Sequence, residues 1–285
     1  MTRKWLSCRL SGPEWADPGS GQGPGLPALV SDLVSGLRQA DAGGSWLFRR
    51  LRTGGDPELG IWFHATPGTL RELAECARAE SAQRAARLTA EVSDEHHAAG
   101  RDSFRTEAAD ALSIASSEFA LDIIREGGFT PERQLSLAVL HLRRLVGLVP
   151  AGDRLAFLFL CWQHWTADLS AEERIGLGIQ VSLGADAALE APGEFRMSET
   201  ADRSWQTYHR AVHALAAEQA EDDSAPINYL LFEHAHLTHS RLGIPAAVEA
   251  LAARLVRAEL AEARTTPLPR RDVAPSKPAL ELQYA

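Results

Sequence analysis

Three histidines and an arginine stand close together in His234-Ala235-His236-Leu237-Thr238-His239-Ser240-Arg241-Leu242-Gly243-Ile244, an otherwise apolar helical stretch that ends at Gly-Ile-Pro. An imidazole titrates near neutrality and can both take and give a proton, so this stretch offers acid/base chemistry, with His236 as the first choice. His236 and Arg241 lie five residues apart, which sets them on adjoining rather than identical helix faces, with both in reach of one cleft at the helix end. A histidine merely hydrogen-bonded at a helix surface is the competing reading of His236.

Metal chemistry has weaker support. His209 and His213 are spaced i, i+4, and His236 and His239 i, i+3, spacings that can converge on one ion. No His-Glu-x-x-His run is present, and Arg210 sits beside a would-be ligand, so no metal site is expected. No Gly-x-Gly-x-x-Gly, phosphate-binding loop or Gly-x-Ser-x-Gly stands in a strand-turn-helix setting, so no nucleotide, flavin or other cofactor is expected.

The elements that hold these residues are read from periodicity. Trp5–Leu10 predicts a strand, and Ser11–Pro27, rich in Gly and Pro, predicts a loop. Leu29, Leu33, Val34 and Leu37 recur at helical spacing, and Trp46–Leu51 and Leu59–His64 predict two strands around Thr53-Gly54-Gly55-Asp56-Pro57. A long helix is expected over Leu70–Val92, rich in Ala, Arg and Glu. The order β-α-β-β-α is that of a ferredoxin-like α+β half. Beyond residue 105 the chain predicts helices at Thr106–Glu126, Pro131–Val149, Asp153–Ala167, Ala201–Glu221, Asn228–Ser240 and Ala246–Ala263. The fold class expected is α+β: a ferredoxin-like layer over 1–105 packed on a mainly helical half over 106–264, with the cleft between them and a disordered tail over 265–285.

Composition bounds the partners. At 285 residues the chain can bury a full core without disulfides, and Cys8, Cys76 and Cys161 are far apart with no Cys-x-x-Cys pair, which fits a reducing compartment. No signal segment or membrane-length apolar run is visible, so a cytoplasmic location is expected. The net charge of −9 argues against nucleic acid as a partner. Residues 1–55 nevertheless carry +3 against −12 for the remainder, which is either scatter on a solvated surface or a small platform for an acidic peptide that includes Arg49 and Arg52. Association into a homodimer stays open, with either end of the Leu70–Val92 helix as a packing surface.

Trp5-Leu6-Ser7, Leu29 to Leu37, Ser45-Trp46-Leu47-Phe48-Arg49-Arg50, the strand Pro57–Phe63 and the stretch His236 to Ile244 together resemble the C-terminal domain of lantibiotic dehydratases. That domain also occurs as a separate protein in thiopeptide pathways, as a glutamate-eliminating lyase or as the pyridine-forming cycloaddition enzyme. Eliminating members are expected to carry His-x-Arg-x-Arg after the second strand, where this chain has Glu58-Leu59-Gly60-Ile61-Trp62. No Tyr-x-Pro-Glu followed by Arg-x-Gly-Gly is visible either. Arginine forks are the natural holders of a carboxylate-bearing leaving group, so their absence points to the other branch. Ser240 also replaces the family-like Asn of the closing motif, which alters its local geometry.

The resemblance therefore implies formation of a thiopeptide's central pyridine ring by formal [4+2] aza-cycloaddition of two dehydroalanines, with loss of water and leader peptide. The implied partner is a dehydroalanine- and azole-bearing precursor with an acidic leader, alongside other pathway enzymes. Glutamate elimination and noncatalytic delivery of a precursor are the alternatives. Arg50 matches the Arg of the family's Phe-Ile-Arg-Tyr-like strand and is the second catalytic candidate, holding a carbonyl or polarising an amide. Ser116, Ser117, Tyr208 and Arg241 are candidates to bind substrate, and Trp46 and Trp62 to stack on azole rings, each against the plainer reading of core packing. Alternation puts Arg49 and Arg50 on opposite strand faces, so only one should meet the cleft.

Overall fold

The computed structural model describes residues 2–11, 26, 28–53, 56–83, 87–93, 107–127, 130–179, 195–221 and 227–265. The expected loop over Ser11–Pro27, the boundary at 105/106 and the expected tail beyond Thr265 lie largely or wholly outside them. Strands β1 (Lys4–Ser11), β2 (Ser45–Thr53) and β3 (Asp56–Ala65) and helix α1 (Ala28–Ala40) form where their periodicities place them. In β1 the alternation leaves Leu6, Cys8 and Leu10 fully buried, and in α1 the stripe Leu29, Val30, Leu33, Val34, Leu37 closes over the same core.

The long helix expected over Leu70–Val92 is not one element. Helix α2 (Pro67–Gln83) stops, and Arg87–Ser93 forms strand β4, antiparallel to β1 with Leu10 opposite Leu88 and Leu6 opposite Val92. The Ala, Arg and Glu of this region favour helix, but Leu88, Ala90 and Val92 alternate with Thr89 and Glu91. Pairing along the free edge of β1 wins over local propensity. The C-terminal end of the expected helix is thus sheet, and no helix end is offered there to a second copy.

The sheet order is β2-β3-β1-β4, which completes a βαββαβ ferredoxin-like unit within an α+β fold. Behind it the chain is helical: α3 (Glu107–Glu126), α4 (Pro131–Val146), α5 (Arg154–Trp165), α6 (171–179), α7 (Glu199–Glu221), α8 (Ile227–Leu242) and α9 (Ala246–Thr265). Among these, α6 was not expected from the sequence. Thr130 caps α4 by accepting the Arg133 N–H, with Pro131 in the first turn. Gly243, at φ 68°, ends α8: its N–H meets the Ser240 carbonyl at 2.9 Å and the Ile244 N–H meets the His239 carbonyl at 2.9 Å.

The two layers are joined at a strand edge. β2 lies at the end of the sheet, where its outward N–H and C=O groups would be buried without partners. The Phe48 N–H donates to Ser117 Oγ of α3 at 3.1 Å, and the Phe48 carbonyl accepts from Arg241 Nε of α8 at 2.8 Å. Ser117 itself donates to the Ser113 carbonyl at 2.8 Å, which fixes its rotamer. Among the described residues no helix is long and apolar enough to cross a membrane.

Candidate functional site

Helix α8 faces two ways. His236 turns outward with 49% of its side chain exposed, and its Nδ1 lies 2.9 Å from Glu249 Oε2 on α9. Glu249 is 1% exposed. The carboxylate can only accept, so Nδ1 carries the proton. Nε2 makes no hydrogen bond among the described residues. The ring lies 6.5 Å from that of Trp165 of α5 at an interplanar angle of 27°. The bond to Glu249 raises the His236 pKa above its ordinary value, against an opposing effect of burial. Burial in turn pushes the Glu249 carboxyl up, countered by His236.

On its inner side α8 presents Thr238, His239 and Arg241, all fully buried. His239 Nε2 is 2.9 Å from His141 Nδ1 of α4, and His141 Nε2 is 2.7 Å from Tyr208 Oη of α7. Thr238 Oγ1 lies 3.2 Å from Tyr208 Oη and 2.9 Å from Ser116 Oγ of α3. Arg241 donates from Nη1 to Ser116 Oγ at 3.1 Å. On the other side His239 Nδ1 stands 3.9 Å from Glu249 Oε1 and has no hydrogen-bond partner. A run of polar groups therefore crosses the helical layer from Arg241 to the half-exposed His236.

This placement separates residues that the sequence grouped. His236 and Arg241 do not meet in one cleft; the guanidinium is buried against β2 and α3. Ser116, Ser117, Tyr208, Trp46 and Trp62 are each no more than 1% exposed. Trp46 donates from Nε1 to Glu118 Oε1 at 2.6 Å, and the other Glu118 oxygen pairs with Arg38. The Trp62 ring lies across Gly60, where an added Cβ would come within 2.4 Å of it. Arg50 reaches the Arg241 carbonyl at 3.4 Å, and burial lowers its pKa to about 10. Arg49 lies on the opposite face of β2, opposite Gly60, which is flanked on its other side by Arg9 of β1. Of the basic residues near the start of the chain, Arg3 is paired with Asp41 at 2.9 Å and Arg38 with Glu118. The side chain of Arg52 lies outside the described residues.

Two members of the network were missed in the sequence. Glu249, Ala252, Ala253 and Val256 are all buried and spaced i, i+3, i+4, i+7, as are Ala138, His141, Leu142 and Leu145. A titratable residue inside such an apolar stripe is the available signal. Among the described residues no three His, Cys, Asp or Glu side chains converge on a metal position. His209 instead packs edge-on to Trp205, with ring centroids 4.0 Å apart.

The buried imidazoles make the fold acid-sensitive. Desolvation lowers His234 and His239 from 6.5 to about 3, and His141 also well below 6.5. Unfolded imidazoles titrate near 6.5, so below that pH the unfolded chain takes up protons that the folded chain refuses. Stability should fall between about pH 6.5 and 3, by up to about 1.4 kcal/mol per pH unit for each such histidine. The His236–Glu249 pair acts in the other direction, its contribution being lost as pH rises through the raised pKa. Urea titrations from pH 7.5 to 4 should show the steep acid-side loss; a flat profile would mean that these histidines are not buried neutral.

The sequence matches the family described as "Lantibiotic biosynthesis dehydratase C-term" over residues 5–260. No curated protein matches it by sequence. Among solved structures, that of TsrL is similar in fold, with a TM-score of 0.54 at 13% identity over 93% of this chain and 100% of that one.

Proposed function

Because the chain belongs to the lantibiotic biosynthesis dehydratase C-terminal family, we propose that it handles a dehydrated precursor peptide and closes the pyridine ring of a thiopeptide by formal [4+2] aza-cycloaddition. One observation carries the choice of reaction. In the eliminating pattern, arginines would occupy positions 60 and 62 on one face of β3; here Gly60 and Trp62 stand there, and the Trp62 ring fills the space above Gly60. Neither position carries the fork that would hold a glutamyl carboxylate in that pattern.

His236 is the proton-transfer group. Its imidazolium donates from Nε2 to the oxygen of the amide beside one dehydroalanine, and the neutral imidazole that results takes the amide N–H proton, leaving an iminol and a 2-azadiene. Cycloaddition to the second dehydroalanine forms two carbon–carbon bonds. The iminol hydroxyl leaves as water, and the leader leaves as its carboxamide with the electron pair of the broken C–N bond and a proton, which aromatises the ring. Positioning two ends of a flexible peptide can supply about 7–11 kcal/mol in well-oriented cases, so the protein need do little covalent work. Arg50 of β2, which reaches the Arg241 carbonyl near the C-terminal end of α8, is the candidate to hold a substrate carbonyl. Location in the cytoplasm belongs to the same reading.

Elimination of glutamate is the second reading, favoured by Arg9 and Arg49, which flank Gly60 on the face shared with Trp62. Mass spectrometry of the protein incubated with a dehydroalanine- and azole-bearing precursor decides between them. Loss of water with release of a leader carboxamide supports cycloaddition. Release of glutamate from a glutamylated precursor supports elimination, and an unchanged precursor that co-elutes supports a noncatalytic carrier.

A further inference from the structure

Both ends of the buried polar run have fixed chemistry. Arg241 can only donate, and the Glu249 carboxylate can only accept. Ser116, which accepts from Arg241, passes its hydroxyl hydrogen to Thr238; Thr238 donates to Tyr208, and Tyr208 to His141 Nε2. With Nε2 accepting, neutral His141 carries its proton on Nδ1 and donates to His239 Nε2. His239 must then carry its own proton on Nδ1, the atom that faces Glu249 Oε1 at 3.9 Å. Every hydrogen bond points the same way, and each tautomer follows from its neighbour.

We propose that this run is a one-way hydrogen-bond relay ending on His239, whose Nδ1–H faces the Glu249 carboxylate electrostatically across 3.9 Å, and that Glu249 and Tyr208 are positioning residues that hold His236 with Nδ1 protonated and Nε2 turned to the substrate. The assignment of His236 rests on the function proposed above; the relay itself does not. Burial disfavours a Glu249 carboxylate and the His236 N–H on Oε2 opposes it, while the His239 N–H faces Oε1 from 3.9 Å and adds a dipole of the same sign. The groups facing the pair are Glu233 and His239 of α8 and Cys161 of α5; Glu233 raises the His236 pKa and Glu249 raises that of the Cys161 thiol. Tyr208, Thr238 and Ser116 lie beyond, on the far side of His141.

Breaking the relay at its middle should be felt at its end. In Tyr208→Phe, His141 Nε2 loses its donor, the two imidazoles are free to adopt the reversed tautomers, and His239 then shows Glu249 a lone pair. The carboxylate becomes a more basic partner and holds the imidazolium more tightly, so the His236 pKa should rise by roughly half a unit to one unit. In Glu249→Gln it should fall to its ordinary value or below.

The experiment is nitrogen-15 NMR of histidine side chains in the full chain. In the wild type, His141 and His239 should both be Nδ1–H tautomers; either one found as Nε2–H overturns the relay, whether or not the variants fold. A His236 pKa unmoved in Tyr208→Phe, with stability alone reduced, also overturns it, as does a raised pKa that survives in Glu249→Gln. If the pKa of His236 shifts while the pH profile of product formation does not, the relay stands and the assignment of His236 to catalysis fails.

Discussion

Replacing His236 by alanine should lower ring formation by roughly 10²–10⁴-fold, the usual contribution of a positioned acid/base group, with affinity for the leader nearly unchanged. The effect is expected on turnover because in the proposed mechanism Nε2 is the atom that meets the peptide at the reacting amide. Alanine also strands a carboxylate that is 1% exposed, so part of any loss could come from a weakened fold. Glutamine separates the two. Its side-chain N–H₂ can donate to Glu249 Oε2 in place of Nδ1, which preserves the buried bond but cannot shuttle a proton at neutral pH. His236→Gln should therefore melt near the wild type and react as slowly as His236→Ala. A wild-type rate in His236→Gln would remove His236 from the mechanism.

Periodicity made much of the scaffold readable. The apolar positions of β1, α1 and α4 predict their elements because each is amphipathic with one buried face. Arg87–Ser93 was not readable in this way: seven residues of weak alternation follow an Ala-rich helix, and what makes them a strand is the edge of β1, a partner far away in sequence.

The site divides similarly. His236 was visible because an imidazole on an apolar helix is unusual. Its partner was not, because Glu249 lies in Ala-Ala-Val-Glu-Ala-Leu-Ala-Ala, where a single carboxylate reads as one more solvated charge. The bond between them spans α8 and α9, and only the turn at Gly243 brings those helices together. The five-position spacing of His236 and Arg241 suggested a shared cleft; the packed helix instead sends one outward and the other against β2. Their connection runs through the interior by way of His141 and Tyr208.

Arg241 is where the two layers depend on one side chain. Its Nε satisfies the Phe48 carbonyl on the edge of β2 at 2.8 Å and its Nη1 satisfies Ser116 Oγ at 3.1 Å, all at 0% exposure. Arg241→Ala removes both donors and opens a large cavity. Stranded buried acceptors cost about 1–3 kcal/mol each and large-to-small changes in a core about 2–5 kcal/mol. Relief from burying a guanidinium offsets part of this, so a net loss of about 3–5 kcal/mol is expected, or a fall in Tm of very roughly 6–10 °C. Arg241→Lys should recover little, because one ammonium on a shorter, unforked stem cannot meet a strand carbonyl and a helix hydroxyl in the same geometry. Thermal unfolding of the two variants checks this, and hydrogen exchange at Phe48 locates it: loss of Arg241 should loosen the junction of β2 with α3 and α8 before the far strand β4. Two variants that melt with the wild type would mean that the strand edge is held by other groups and that Arg241 is free to serve the substrate instead.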